Sequence, residues 1–283
     1  MNRPLVFQTD FGRNDGAVSA MYGVALSVNP ALHIYDLTHD IPQFSIWDAS
    51  YRLYQTIRYW PEETIFVSVV DPGVGTDRKS IVIKTNLNHL VITPDNGTIT
   101  HILNEIGIKK AWIIDEEKNR LPHSGVSYTF HGRDIFAYTG ARIAAGIIKP
   151  EDVGVEIQID QLVQLSIPEV LQVNGSIIGN IDILDIRFGN LWTNIDYQLL
   201  KGLNVEFGDP FEVTIENDAQ KVYKSKMNFV RTFAETRLGD PLLFVNSLDK
   251  IGVAINQGSF ANTYGIKSGA KWKICLQLLK YDS

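Results

Sequence analysis

Between residue 5 and about residue 160, short runs rich in Val, Ile and Phe alternate with stretches whose apolar residues recur every three or four positions. That is the grammar of strands crossing to helices in an α/β layer. Residues 5–8 read as a first strand. Behind Asn14 and Asp15, both helix-capping residue types, Val18, Met21, Tyr22, Ala25 and Leu26 share one helical face until Pro30 stops the helix. Residues 33–37 read as a second strand. Ala49, Leu53 and Ile57 stand four apart in a helix over 47–59, which leads into 65–70, a continuous apolar run typical of a buried parallel strand. Further strands are expected at 80–85, 90–93 and 111–114, with helices over 98–106 and 134–145, the second closed by Gly146 and then Pro150.

After about residue 162 the period changes to two. Trp272, Ile274, Leu276 and Leu278 point one way while Lys271, Lys273 and Gln277 point the other. The fold class expected is therefore α/β: an N-terminal α/β domain with a central, largely parallel sheet over 1–165, and a C-terminal antiparallel β-barrel-like domain over 172–283. The junction falls within 163–174, and the chain contains neither an internal repeat nor a low-complexity segment.

Composition agrees with two packed domains. A chain of 283 residues with 45% hydrophobic content can bury two cores at roughly 150 residues per domain. Its 26 basic and 32 acidic residues are interspersed and sum to −6, which disfavours nucleic acid or an anionic membrane as partner. A small neutral or cationic ligand fits better. The single cysteine, Cys275, allows no intramolecular disulfide and no zinc cage of cysteines, in keeping with a cytoplasmic location. No apolar run approaches the ~18 residues of a membrane span, and Asp10 interrupts the chain start before the apolar stretch of a signal peptide can form.

In open α/β sheets ligands bind beyond the carboxyl ends of strands, and Asp10 and Asp71 follow two of the expected strands there. Each is either a ligand or a helix-cap or turn residue. Asp71 opens DPGVGTDR, where Pro72, Gly73 and Gly75 let the backbone turn sharply enough to return Arg78 toward Asp71. The stretch is neither a dinucleotide fingerprint nor a Walker loop. His131 and Gly132 sit just before a helix, where a ligand can approach its N-terminus. The other histidines show no ligand spacing, so no metal site is expected. Gly125, Val126 and Ser127 lack the closing glycine of a nucleophile elbow. In the second domain, residues 185–194 concentrate amides and aromatics in a loop between strands, which suits either a purine or a turn anchored by Trp192.

Taken in order, Thr9-Asp10-Phe11-Gly12, VVDPGVGTDR at 69–78, TPDNG at 93–97, TFHGRDIFA at 129–137, FGNLWTN at 188–194 and VNS at 245–247 resemble one family. It is the S-adenosyl-L-methionine hydroxide adenosyltransferases, adenosine-forming hydrolases related to fluorinase and chlorinase, and the match spans both domains. The resemblance implies attack of water or hydroxide on ribose C5′, with methionine leaving. It places the family's Asp-Arg-His triad on Asp71, Arg78 and His131 and the ribose carboxylate on Asp10. It assigns Phe188, Asn190 and Trp192 to adenine, and Asp185 and Ser247 to the methionine end; Asp15, Phe44, Gly132, Asn246 and Gln257 complete the expected substrate site. Where halogenases carry a tryptophan this chain has Phe44, and Leu248 replaces their arginine beside the serine. Halogenases also replace the triad aspartate and histidine and insert a long loop, whereas here only residues 86–89 separate two strands. The expected activity is hydrolysis of S-adenosyl-L-methionine, which is substrate and not cofactor; no cofactor or metal is expected. A nucleoside-binding module without turnover and, behind it, halide-dependent adenosyl transfer are the alternatives. The resemblance further implies a homotrimer with active sites between subunits.

Overall fold

The computed structural model describes residues 3–218 and 220–279. The expected domain limits at residues 1 and 283, and part of the chain start weighed as a signal peptide, lie outside the described residues. By internal contacts the chain divides into two compact units, Met1–Leu165 and Ser166–Ser283.

The first unit is built from β1 (Leu5–Thr9), α1 (Ala17–Val28), β2 (Ile34–Thr38), α2 (Ile46–Ile57), β3 (Ile65–Val69), β4 (Ser80–Thr85), β5 (Leu90–Pro94), α3 (Thr100–Glu105), β6 (Ile108–Ile114), α4 (Tyr138–Ala144) and β7 (Gly154–Ile157). Its sheet has the order β2-β1-β3-β5-β4-β6-β7. β2, β1, β3 and β5 run parallel. The short turn between β4 and β5 forces that pair antiparallel, and β6 is antiparallel to β4 in turn. Two reversals restore direction, so β6 runs the same way as β5. The carboxyl ends of β1, β3, β5 and β6 and the amino end of β4 therefore share one sheet edge.

Every residue of β1, β3 and β5 is buried, because helices cover both sheet faces. Leu5, Phe7, Val67 and Ile92 pack with Met21 and Ala25 of α1 and Ala141 of α4. Gln8, pointing oppositely to Phe7, donates to the Ala49 carbonyl of α2 at 2.8 Å. At Gly140 a Cβ would lie 2.5 Å from Val67 Cγ2, so α4 reaches β3 only because that position lacks a side chain.

The helix expected over 134–145 is two pieces, a π-helical turn at Gly132–Ala137 followed by α4. An outside donor, the Leu121 N–H, takes the Asp134 carbonyl at 2.8 Å and competes with the regular helical bond there. Periodicity reads such a segment as ordinary helix, because widening one turn leaves the apolar spacing of its neighbours intact.

The second unit contains β8 (Leu171–Val173), β9 (Ser176–Leu184), β10 (Leu191–Asp196), α5 (Tyr197–Gly202), β11 (Pro210–Asn217), β12 (Gln220–Phe229), β13 (Pro241–Val245), β14 (Lys250–Ile255), α6 (Phe260–Tyr264) and β15 (Trp272–Leu278). The order β10-β14-β13-β12-β11-β15-β9 closes when β9 pairs back onto β10, giving a seven-stranded barrel with β8 as an added edge. Closure satisfies backbone groups that an open sheet would leave unpaired. One pairing departs from the antiparallel expectation: β12 and β13 meet in parallel over Asn228–Leu242 and Phe229–Leu243, since the residues between them carry the chain back to the same end. Phe211, Val213, Phe229, Val253 and Ile274 fill the interior. Among the described residues no helix is long and apolar enough to cross a membrane.

One buried histidine couples the first unit to pH. His101 of α3 is 3% exposed, ringed by Trp47, Tyr51 and Tyr54. Ser50 Oγ accepts its backbone N–H at 3.1 Å and lies 2.8 Å from Nδ1, while Nε2 has no hydrogen-bond partner. Burial pushes the imidazole down from 6.5 to about 4. The unfolded chain takes up this proton first as pH falls, so stability is full above 6.5 and is lost toward pH 4, by about 3 kcal/mol. His101→Phe is expected to flatten the dependence of the urea midpoint on pH between 7 and 4.5; an unchanged slope would contradict this assignment.

Candidate active site

The strand directions bring chemistry to one edge. Asp10 follows β1 directly, Asp71 follows β3, Arg78 precedes β4, and Glu116 follows β6. Between Asp71 and Arg78 the chain turns tightly: Val74 N–H bonds to the Asp71 carbonyl at 3.2 Å and Thr76 N–H to that of Gly73 at 3.1 Å. Gly75 takes a φ of +79°, open to glycine at little cost.

That turn lays the Arg78 guanidinium on Asp71. Nε donates to Oδ1 at 3.0 Å and to Oδ2 at 2.9 Å, and Nη2 also donates to Oδ2. Nη2 further lies 3.0 Å from His131 Nδ1, and Nη1 donates to Ser80 Oγ at 2.7 Å and to Glu116 Oε1 at 3.4 Å. The side chains of Arg78, Asp71 and His131 are 9%, 5% and 4% exposed, so these are desolvated, charge-assisted contacts. The far nitrogen of His131, Nε2, lies 3.3 Å from Arg120 Nη2. Burial pushes the His131 imidazole below its ordinary value; Glu116 opposes this, Arg78 and Arg120 reinforce it, and Asp71 opposes it more weakly.

In front of this cluster lies a cleft of about 470 Å³ lined by Asp10, Asp15, Phe44, Asp71, His131 and Gly132, together with Phe11, Gln43 and Phe130. Asp10 Oδ2 accepts the Phe44 N–H at 2.9 Å, and Phe44 presents a ring that is 67% exposed. Asp15 Oδ1 accepts the Ala17 N–H at 2.9 Å, which caps the start of α1, although the N-cap position itself is Gly16. A Cβ on Gly132 would stand 3.1 Å from the Phe11 ring.

Behind Asp10 a polar chain fixes the end of β1. Thr9 Oγ1 lies 2.8 Å from His39 Nδ1, His39 Nε2 lies 2.9 Å from Asp36 Oδ1, and Asp36 also accepts from Tyr22 and Arg13. Burial, aided by Asp36, pushes the Tyr22 phenol up to about 12. The Gly12 N–H closes the loop on the His39 carbonyl at 2.8 Å.

In the second unit a cleft of about 810 Å³ is lined by Phe188, Asn190 and Gln257 with Arg187, Phe233, Asn256 and Ser259. Gly189 packs so closely that a Cβ would meet Ser259 Oγ at 1.9 Å, at a φ of +70°. Asp185 shapes the same loop: its carbonyl accepts the Gly189 N–H at 2.6 Å and its N–H bonds to the Asn190 carbonyl at 2.8 Å. Trp192, Asn246 and Ser247 do not line this cleft. Trp192 lies in β10 with a buried Nε1 that has no hydrogen-bond partner. Asn246 turns the chain between β13 and β14, its Oδ1 accepting from the N–H groups of Leu248 at 2.9 Å and Lys250 at 3.1 Å. Ser247 beside it is exposed.

Sequence reasoning missed Ser80, Glu116 and Arg120. The strand-end rule that marked Asp71 would have marked Glu116 as well, had the expected strand at 111–114 been followed past its end. Among the described residues no group of three or more His, Cys, Asp or Glu side chains could hold a metal ion.

An α/β unit with a guanidinium-centred cluster at its strand ends, followed by a closed barrel with an aromatic-and-amide cleft, defines a two-domain ligand-binding architecture. The profile of the SAM hydroxide adenosyltransferase N-terminal domain matches residues 5–154, and that of the C-terminal domain matches 179–273. The chain belongs to this family. It is 35% identical to the (R)-S-adenosyl-L-methionine hydrolase of Methanocaldococcus jannaschii over 82% of this chain and 81% of that protein. It is 24% identical to the fluorinase of Actinopolyspora mzabensis over 96% of this chain and 97% of that protein. A solved structure of an uncharacterized conserved protein from Thermotoga maritima matches with a TM-score of 0.85 at 31% identity, covering 96% of this chain and 99% of that one.

Proposed function

We propose that this protein hydrolyses S-adenosyl-L-methionine to adenosine and L-methionine. The observation that carries this reading is the Arg78 guanidinium clasped on Asp71 and His131, both of which line a cleft that also holds Asp10. A water oxygen forms the bond to ribose C5′ as the C5′–S bond breaks, its electron pair going to sulfur to give neutral methionine. The sulfonium leaves without an acid, so catalysis reduces to holding a desolvated water in line opposite sulfur. Asp71 lines the cleft and orients that water; because both His131 nitrogens face guanidiniums, Asp71 takes the water's proton as the bond forms and passes it to solvent. Arg78 supports the developing hydroxide character. Asp10 receives the two ribose hydroxyls. Gly132, Asp15 and Phe44 shape the nucleoside wall, and Phe188, Asn190, Trp192 and Gln257 take adenine, with Asp185, Asn246 and Ser247 at the methionine end. No step calls for a cofactor.

Relatives named for the hydrolysis specify the (R) configuration at sulfur, and that epimer is part of the proposal. Fluorinase relatives raise halide transfer as the second reading; the presence of both Asp71 and His131 and the short turn at 86–89 speak for water. A homotrimer, with the triad of one subunit and the adenine residues of its neighbour sharing each site, and a cytoplasmic location complete the proposal.

In heavy-oxygen water the label is expected in the 5′ hydroxyl of adenosine; unlabelled adenosine would refute attack at C5′, and tight binding without adenosine release would favour the binding module. Arg78→Ala should lower kcat on the order of a hundredfold with a smaller change in KM. Asp10→Ala should chiefly raise KM, by about tenfold or more, since ribose bonds are lost from ground and transition states alike. For the trimer, inactive His131→Ala and an inactive Asn190 variant, unfolded and refolded together, should regain activity in mixed assemblies; mixed trimers that stay inactive would reject the shared site.

A further inference from the structure

Both nitrogens of His131 confront guanidiniums, and a guanidinium can only donate. An imidazolium would turn an N–H against each of them. A neutral ring has one lone pair to give, and the nearer claimant is Arg78, at 3.0 Å from Nδ1 against 3.3 Å from Arg120 to Nε2. The charged groups facing His131 are Asp71, Arg78, Glu116 and Arg120, with the Tyr128 ring packed edge-on at 6.3 Å.

Arg120 is poorly satisfied where it stands. Its side chain is 12% exposed, its Nη1 is buried without a hydrogen-bond partner, and its ion pair with Glu116 is long at 3.7 Å. Its Cζ sits 4.9 Å from the centre of the Tyr128 ring. A buried cation with an orphaned donor costs stability, so its placement answers another requirement. Glu116 is anchored more firmly, accepting from Ser80 Oγ at 2.7 Å and from Arg78 Nη1 at 3.4 Å, with Oε2 3.8 Å from His131 Nδ1. Neither residue lines the cleft.

We propose that Glu116 and Arg120 are positioning residues that together set the charge state of His131: Arg120 keeps the ring neutral, and Glu116 holds Arg120 and Arg78 beside it. The neutral ring then keeps its Nδ1 lone pair on Arg78, and Arg78 keeps its fork on Asp71. Their opposite charges do this without altering the net charge behind the cleft. The assignment rests on the hydrolysis reading for its purpose, but not for its test.

The His131 ring proton signals, titrated by NMR in substrate-free protein, read the clamp directly. Glu116→Gln removes a negative neighbour, and the His131 titration should move to lower pH; Arg120→Gln removes a positive one, and it should move to higher pH. Adenosine release should follow, with the acid limb of kcat displaced in the same two directions, kcat at pH 7 reduced roughly tenfold in Arg120→Gln, where the ring gains charge, and KM changed by no more than about twofold. Arg120→Lys, which keeps the charge, should return the titration toward wild type. Glu116→Gln preserves side-chain shape and the Ser80 acceptor, so it carries the test alone if Arg120→Gln does not fold. A titration unmoved in Glu116→Gln, or moved the same way in both variants, would overturn the proposal. Opposite movements in a protein that releases no adenosine would uphold the clamp and reject the hydrolysis reading.

Discussion

A guanidinium withdrawn from water has five N–H groups to satisfy, and the first domain is arranged around that demand at Arg78. Asp71 takes the Nε edge, Ser80 and Glu116 take Nη1, and His131 takes the remaining direction of Nη2. No single element could supply all four partners. Two come from loops that leave β3 and β6, one is the first residue of β4, and one precedes the π-helical turn. Loss of any partner would strand a buried donor, so the cluster is rigid because it is nearly complete.

Topology makes this convergence possible. In a purely parallel sheet, residues that begin strands lie at the edge opposite those that end them. Inserting β4 antiparallel between β5 and β6 puts the start of one strand among the ends of its neighbours, which is how Arg78 and Ser80 reach Asp71 and Glu116. The Phe130–Phe11 contact and the bond from Phe44 N–H to Asp10 then tie the loops after β1, β2 and β6 to the same edge. The π-helical turn starts at Gly132, next to the imidazole it helps to place.

What the sequence disclosed follows the range of the forces involved. Buried parallel strands announce themselves by continuous apolar runs, and DPGVGTDR announces its turn through proline and glycine, so Asp71 and Arg78 were legible together. Glu116 and Arg120 were not, because they sit in a run, Asp115 to Arg120, whose mixed charges read as a solvated loop. The return of the chain at Leu121 onto the Asp134 carbonyl, with the Asp115 N–H and Asn119 Nδ2 both donating to the Val153 carbonyl, pulls that run inward. The parallel contact of β12 with β13 was equally hidden, since alternation fixes which face a residue takes but not which way its neighbour runs. In the second domain Phe188 and Asn190 of the aromatic-and-amide motif line one cleft, while Phe233, from a short 3-10 turn, and Asn256, just past the end of β14, join them from segments remote in sequence.

Charge distinguishes the two nucleophiles that the family's relatives bring into view. At the cleft wall and behind it, Asp71 and Glu116 are matched by Arg78 and Arg120, so these four side chains add no net charge. Asp10 and Asp15 on the cleft wall therefore leave its local field negative. A sulfonium gains from that field as it enters, whereas a halide must approach against it and against the Asp71 carboxylate. Water carries no charge and meets no such barrier; it meets instead a carboxylate able to orient it and a guanidinium able to stabilise the oxygen as it loses a proton. On the proposed reading, the same carboxylates that draw the substrate in also select water as its partner.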